Sequence, residues 1–540
     1  MAKIIHRKDL RSQNVEKNSF NMKYLYLIAF VEGASVMAVE LAGAKMIAPF
    51  YGTSLYVWAS VLAVTLGGLT TGYFIGGWAT YRYSPQKLLL GVLLAGTLFI
   101  ALMPMLALKI MPATSGLGLR FGSLVSAVSY MILPLICMGM VSPTIIQLNN
   151  TELKGTGKTA GTIYAISTIG GIIMTLLMGF YLLPEWGIRK SVYLTAVLLG
   201  LMPVLLVMLY RKYKVLTTTG ILVVLLFMLA SHKLFKTPRL PLKYLYESEG
   251  ILGQVTVLQN PDPLTKKIYR HLFINHIAQT WADVKHIPIS DWGYPHRLAT
   301  LASIKPEGSK ALLIGLGGGS LVMELRKLGF LLDVVEIDRR IPVIAEKYFA
   351  LNPAGMNIYI DDGRHFMHTT TKTYDIIAID VLNGEVQPYH MFTVEAFGEM
   401  KNILAPDGLI LINNQGYMHG EHGKGSRSIY KTLLESGFKV KYFTSEINKE
   451  SGDIHFIASP VDFDFHLIDN ERLNECCRLR PHTYDELISG APVNTADAFV
   501  LSDNKPRLEK INTYENEKWR SNAISWILKR QTDNHIPFFN

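Results

Sequence analysis

Four short apolar stretches in the second half of the chain each end on glycine or on a carboxylate, and any chemistry has to be sought at those endings. Ala311-Leu312-Leu313-Ile314 runs into Gly315-Leu316-Gly317-Gly318-Gly319-Ser320; 332–337 carries Glu336 and is followed by Asp338; 357–360 is followed by Asp361-Asp362-Gly363; and 374–379 by Asp380. Glycines after a strand permit a tight turn and let a ligand approach the backbone without meeting a Cβ. The loop reads G-x-G-x-G through Gly315, Gly317 and Gly319, with Ser320 where the dinucleotide fingerprint needs its last glycine. About 20 residues later, doubly wound folds place an acid that accepts the ribose hydroxyls, and Glu336 and Asp338 stand there. At the third ending an acid can accept from an adenine amino group. An Asp after a strand also caps the following helix, so each of these acids alone reads equally well as a cap. Four such endings in succession specify a ligand bearing an adenosine, with Asp380 at the fourth.

The elements that must position these residues follow from the pattern. Apolar runs of strand length at 311–314, 332–337, 357–360, 374–379 and 409–412 alternate with amphipathic helical segments at 321–328, 341–349, 394–404 and 427–435, and runs at 438–444 and 454–458 complete the series. Continuous apolar strands alternating with helices predict a parallel α/β sheet covered on both faces, whose ligand lies beyond the carboxyl ends of the strands. Ahead of it, 245–280 reads as a small β-rich unit, with strands at 254–258 and 270–274.

The first half is a different material. Through Thr237 there are 20 Lys+Arg against 6 Asp+Glu, and 33 against 37 after it, so charges of +14 and −4 make up the net +10. The basic residues cluster at the ends of long uncharged apolar runs, which suits a bilayer and argues against nucleic acid as a partner. Runs of roughly 20 apolar residues, the length a helix needs to cross hydrocarbon, occur at 23–47, 56–80, 88–111, 123–148, 160–183, 192–210 and 215–230, giving about seven expected spans. Glycines dense in 66–77 and 168–171 predict close helix packing. Glu32 and Glu40 lie within the first span, and acids at that depth are candidates for lining a polar cavity. Loop charges favour a cytoplasmic amino terminus, which with seven spans would put the second half outside. Three cysteines, Cys137 and the adjacent Cys476 and Cys477, have neither framework nor metal-ligand spacing, and no metal is expected.

The arrangement resembles the spermidine synthase family of aminopropyltransferases in its membrane-fused form. The phrases Gly33-Ala34-Ser35-Val36-Met37-Ala38-Val39-Glu40, 49–58 and 161–170 are similar to the family's membrane segment, and the likeness is strongest from 246 to about 416. The resemblance implies a multi-span helical domain followed by a class I S-adenosylmethionine-dependent methyltransferase-like (Rossmann-like) α/β domain with a small β-rich subdomain at its start. The expected divisions are a basic tail at 1–22, spans over 23–231, a linker at 232–245, the small subdomain at 246–300 and the Rossmann-like domain at 301–540. It further implies nucleoside contacts from Gln254 and Gln279, a ribose acid at Glu336, an adenine-side acid at Asp362 next to Gly363, and the catalytic aspartate at Asp380. The implied reaction moves an aminopropyl group from decarboxylated S-adenosylmethionine to a polyamine or other amine, releasing methylthioadenosine. Tyr294, His296, Tyr389 and His390 are the loop residues that would shape the amine pocket.

Departures from the family keep alternatives open. Gly318 stands where the family has an acid, Asn383 where it has a second acid, with Glu385 nearby as a substitute, and Asn275-His276 replaces the usual Asp-Gly of the hairpin. Fewer carboxylates weaken the case for a dicationic diamine, since buried ammonium groups need anionic partners. Methyl transfer from S-adenosylmethionine on the same scaffold, and a transporter or sensor that only binds nucleoside, are the alternatives. The expected partners are a small-molecule amine and the lipid bilayer, with a homo-oligomer allowed; the expected location is the plasma (inner) membrane as a multi-pass protein, with the cofactor placing the second half in the cytoplasm.

Overall fold

The structure is a computed structural model of the 540-residue chain. It describes residues 21–149, 156–210, 218, 243–250, 252–262, 265–382, 384–444, 452–469, 471–473, 488–489 and 493–534. Described residues up to Ile47 and from Leu55 to Tyr210 form one compact unit; Ala48–Ser54 and the described residues from Lys243 onward form the other.

The first unit is helical: α1 (Met22–Tyr51, of which the part before Ala48 belongs here), α2 (Leu55–Arg82), α3 (Pro85–Thr114), α4 (Gly118–Asn149), α5 (Thr156–Leu177) and α6 (Gly187–Tyr210). Five helical runs among the described residues are long and apolar enough to cross a bilayer, not the seven expected. The difference has two sources. The expected spans 160–183 and 192–210 fall in one run, Gly157–Met208, whose 52 residues at about 1.5 Å each exceed twice the ~30 Å of a hydrocarbon core. A π-helical turn at Met178–Trp186, containing Pro184, and Gly187 at φ +79° interrupt it. The expected span 215–230, like the Cys476-Cys477 pair, lies outside the described residues.

Gly68, Gly72, Gly76, Gly170 and Gly171 pack closely, as the glycine density predicts, while Gly67 and Gly77 face open space. A Cβ on Gly33 would lie 2.0 Å from the Ser167 carbonyl oxygen, one on Gly170 2.1 Å from that of Phe30, and one on Gly72 2.8 Å from the Cα of Gly139. α1 against α5 and α2 against α4 therefore approach backbone to backbone. Glu32 is buried and accepts a hydrogen bond from Ser167 Oγ at 2.9 Å, so it is a partnered group at this same crossing; Glu40 is half-buried eight residues on.

The second unit opens with a four-stranded antiparallel sheet, β1 (Lys243–Ser248), β2 (Val255–Pro261), β3 (Ile268–Ile274) and β4 (Ile277–Asp283), in sequential order. Asn275 and His276 form the two-residue β3–β4 turn at φ 47° and 65°, the left-handed conformation a type I′ hairpin requires. α7 (Tyr294–Ala302) follows, and its Leu298, Ala299, Leu301 and Ala302 are buried against the main sheet.

That sheet is built from β5 (Lys310–Ile314), β6 (Leu331–Glu336), β7 (Met356–Ile360), β8 (Tyr374–Ile379), β9 (Leu404–Gly416), β10 (Lys439–Thr444), β11 (Gly452–Ser459) and β12 (Ile488–Ser489) in the order β12-β10-β11-β9-β8-β5-β6-β7. β5 to β9 pair in parallel, with α8 (Ser320–Lys327), α9 (Arg340–Phe349), α10 (Gly363–Thr369) and α11 (Val394–Ile403) between them. Burial on both faces explains the unbroken apolar runs: Ala311, Leu313, Ile376, Ala378, Leu409 and Leu411 enter one core, and Leu312, Ile314, Ile377, Ile379, Ile410 and Ile412 the other.

The parallel pairing stops at the far side of the sheet, where β11 runs antiparallel to both β9 and β10. Seven residues separate Thr444 from Gly452, fewer than the dozen or so a parallel crossover needs. α12 (Lys424–Glu435) precedes β10, and α13 (Thr513–Asn534), which the sequence reading did not assign, ends the described chain.

Candidate active site

The carboxyl ends of β5 to β9 open on one cavity of about 570 Å³, inside the roughly 300–1,000 Å³ range of ligand pockets. Of the residues singled out in the sequence, Gly315, Gly317, Glu336, Asp338, Asp362, Gly363, Asp380, Gln279, Tyr294 and His390 line it.

The glycine loop brings β5 against the end of β8. Gly315 sits at φ +91°, its N–H donates to the Val335 carbonyl, and a Cβ there would lie 2.2 Å from the Asp380 carbonyl oxygen. Gly317 is also left-handed, at φ +52°. Gly318 donates its N–H to Thr280 Oγ1 at 2.8 Å, and a Cβ on it would come within 2.6 Å of the Thr280 methyl. A hydroxyl from β4 thus reaches the loop at Gly318. Gly319, at φ +81°, packs on Leu351 at the start of α8 and is not part of the cavity wall.

Glu336 is buried with both carboxylate oxygens directed by backbone: Oε2 accepts from Leu316 N–H at 3.0 Å and Oε1 from Asp338 N–H at 2.9 Å. Burial raises its pKa, and the two amides only partly oppose this. Asp338 is engaged by Arg340 at 2.6 Å, which continues to the carbonyls of Ser248 and Gly253 and so joins the small sheet to the cavity rim. Asp362 caps α10, with Oδ1 accepting from the N–H groups of Arg364 and His365, while Oδ2 lies 3.5 Å from His390 Nε2. Asp361 also lines the cavity and pairs with His365 at 2.8 Å.

Asp380 is held from two sides. Tyr294 Oη donates to Oδ2 at 3.0 Å and Asn413 Nδ2 to Oδ1 at 2.9 Å. Burial pushes the Asp380 pKa upward, while both donors favour the ionised form and pull against it. Burial and the neighbouring Asp380 charge drive the Tyr294 phenol well above its usual range, so it remains a donor. A carboxylate fixed in orientation, with a raised proton affinity, is suited to accept a proton from an amine.

Five of the residues expected to contact the nucleoside or shape the amine pocket lie outside the cavity wall. Gln254 bonds Glu247 and meets Asn275 Oδ1 through its backbone N–H. His296 is buried between the Ser290 carbonyl and Glu324. Glu385 is buried in an ion pair with Arg520, and Tyr389 packs on the core beneath the α11 face. Gly319 is the fifth. Asn383 lies outside the described residues.

The cavity also has lining residues that the sequence reading missed: Trp292, Asn413, Gln415, Asp453 and Trp519. Asn413 and Gln415 belong to the fifth parallel strand ending, so continuing the same rule one strand further would have found them. Asp453 could not be found that way. β11 is antiparallel, and its amino-terminal end, paired Asp453 to Gln415, shares the edge where the parallel strands finish. Arg297 pairs with Asp453 at 2.5 Å and donates Nε–H to His455 Nε2 at 3.0 Å. Burial and the Arg297 charge hold His455 down to about 3, so it is a neutral acceptor that steadies the guanidinium.

Residues 294–459 match the family model described as the spermine/spermidine synthase domain. The chain is similar to a polyamine aminopropyltransferase of Vibrio vulnificus, 29% identical over 170 residues, covering 30% of this chain and 54% of the relative. It is also similar to polyamine aminopropyltransferase 2 of Aquifex aeolicus, 24% identical over 432 residues, covering 77% of this chain and 83% of the relative. The chain thus spans about half the length of the first relative and most of the second. Among solved structures, a probable spermidine synthase from Corynebacterium glutamicum matches with 18% identity and a TM-score of 0.36, covering 48% of this chain and 99% of that one.

Proposed function

We propose that this chain, which carries a spermine/spermidine synthase domain at 294–459, is an aminopropyltransferase: it moves an aminopropyl group from decarboxylated S-adenosylmethionine to an amine and releases methylthioadenosine. The observation that carries this reading is Asp380, oriented by Tyr294 and Asn413 at the end of β8 beside the glycine loop. Glu336 is the acid for the ribose hydroxyls. Its oxygens accept backbone hydrogen bonds from Leu316 and Asp338, with the Ile337 amide as a further donor, and the carboxylate's roughly four acceptor sites still leave room for a ribose hydroxyl. Gly315 and Gly317 leave room beside it for the nucleoside, and Asp361 and Asp362 stand at the next strand ending for the base.

In the transfer step the amine nitrogen attacks the carbon next to the sulfonium, an N–C bond forms, the C–S bond breaks, and sulfur keeps the pair as a neutral thioether. Only an uncharged amine can attack, so one proton has to leave the nitrogen, and Asp380 is the acceptor within the cavity. The sulfonium is already a good leaving group, so alignment supplies the larger part of the acceleration, with an upper bound of about 7–11 kcal/mol for well-oriented reactants. Five helical runs among the described residues, each long and apolar enough to cross a bilayer, support reading it as a membrane-bound enzyme, and the acceptor in this reading is a small amine.

Mass spectrometry of the products formed by the purified full chain from each sulfonium donor and a panel of amines tests the reading. Methylthioadenosine is the expected product. S-adenosylhomocysteine would instead support methyl transfer, for which the glycine at 318, where the resemblance implies an acid, speaks, and nucleoside binding without either product would reject both.

The Tyr294→Phe variant gives a pH test of Asp380. Removing a donor to the ionised carboxylate raises its pKa further, so the acid limb of the kcat/KM profile is expected to move to higher pH, with the nucleoside dissociation constant unchanged. A limb that stays in place or moves down would show that Asp380 is not the titrating base.

A further inference from the structure

The helix that closes the described chain lies outside the family match, yet it reaches the cavity. α13 is tethered along its length within the second unit: the Tyr514 ring stacks on His422 at 3.6 Å and 6°, Lys518 Nζ bonds Tyr417 Oη at 2.6 Å, and the Trp526 ring lies 6.0 and 5.9 Å from those of His271 and Phe273. Between these tethers Trp519 lines the cavity.

Arg520, next in sequence, is 4% exposed and joins two edges of the cavity mouth. Its Nη1 donates to the carbonyl of Asn275, at the β3–β4 turn, at 2.5 Å, and to that of Pro49 at 3.2 Å; its Nη2 pairs with Glu385, itself 4% exposed. The hairpin contributes Ile274, Ala278 and Gln279 to the wall, and the chain around Glu385 contributes Leu382 and Pro388. Gln279 adds a second link across the same gap, donating to the Gly384 carbonyl at 3.2 Å, and Gln387 is fixed to Asn414 at 2.6 Å. A buried ion pair is a weak source of stability, because desolvating both charges offsets their attraction. What the planar guanidinium supplies is geometry, since its rigid fork meets acceptors on separate segments at once.

We infer that Arg520 is a positioning residue: through Glu385 it holds Gly384–Pro388 against the β3–β4 hairpin, so that α13, with Trp519, sets the acceptor side of the cavity beside Asp380. This rests on the aminopropyltransferase reading for its kinetic consequence but not for its structural one. Misplacing reacting groups by about 1 Å can lower a rate on the order of 10²-fold, so Arg520→Met in the full chain is expected to lower kcat/KM for the amine on the order of 10²-fold. Methylthioadenosine affinity should stay within about threefold, because the nucleoside is held by the strand endings rather than by α13. Arg520→Lys, which keeps the charge and loses the fork, should recover only part of the rate.

Because Arg520→Met strands a buried carboxylate and can misfold, the double variant with Glu385→Met is made alongside. It removes both charges and is expected to regain the wild-type melting temperature while keeping the kinetic defect. Hydrogen exchange gives a readout independent of turnover: in the double variant, amides of 384–387 should exchange at least about tenfold faster, with those of β5 and β8 unchanged. Unaltered exchange at 384–387, or an Arg520→Met enzyme within threefold of wild-type kcat/KM, would overturn the inference. A wild-type chain that releases no methylthioadenosine would sink the transferase reading alone, and the exchange experiment would still decide the role of Arg520.

Discussion

Asp380→Asn is expected to lower turnover by about 10²–10⁴-fold, the contribution of a general base, while leaving methylthioadenosine affinity within about tenfold, roughly 1.4 kcal/mol. Asparagine keeps the size of the side chain but cannot take a proton from the amine. The same substitution should stabilise the protein at neutral pH. Burial raises the pKa of Asp380 above the ordinary Asp value of about 3.9. A raised acid contributes stability that is fully present below the unfolded value and is lost as pH rises through the folded one. Above that window the folded protein holds a poorly hydrated charge that Asn413 and Tyr294 compensate only in part. The variant should therefore melt higher than wild type at pH 7, with the difference vanishing below about pH 4. Wild-type turnover in the variant would refute the assignment, and a lower melting temperature at pH 7 would show that burial of Asp380 carries no penalty.

Gly315→Ala is the second large effect. Its backbone is in the left-handed region, which is strained for any residue with a Cβ, and the added carbon would sit 2.2 Å from a backbone oxygen that cannot step aside without moving the end of β8. Strain and overpacking together come to an energy on the order of 3 kcal/mol. The clash is with Asp380 itself, so both nucleoside binding and chemistry should suffer. A saturating nucleoside stabilises a protein by about 2.7 kcal/mol at 100 times its dissociation constant; the expected result is that methylthioadenosine raises the melting temperature of the wild type but not of Gly315→Ala. A full ligand-induced shift in the variant would mean that the nucleoside does not lie against this loop.

Several roles separate once partners are seen. Asp338 and Glu336 lie two residues apart at one strand ending and read alike as ribose acids, yet Arg340 engages one and backbone amides orient the other. Glu385 is near enough in sequence to replace a missing second acid, but Arg520 neutralises it. Asp362 is both things it can be read as, a helix cap through Oδ1 and a residue of the cavity wall. Adjacency in sequence fixes what a side chain can do chemically and says nothing about which distant cation arrives to meet it.

The sequence by itself determined the two-part organisation, the positions of the parallel strands to within a residue or two for β5 to β8, and the cluster of glycine and acid at their ends. These depend on local physics: apolar periodicity, the length of chain a crossover needs, and the conformations glycine alone adopts freely. The tertiary structure decided the rest. It turned β11 antiparallel and so delivered Asp453 to the cavity from the wrong end of a strand, set Thr280 of another sheet against Gly318, and brought Trp519 and Arg520 to the cavity from α13. The last two come from contacts between segments far apart in sequence, which leave no periodic trace in either one, whereas β11 reverses because only seven residues join it to β10.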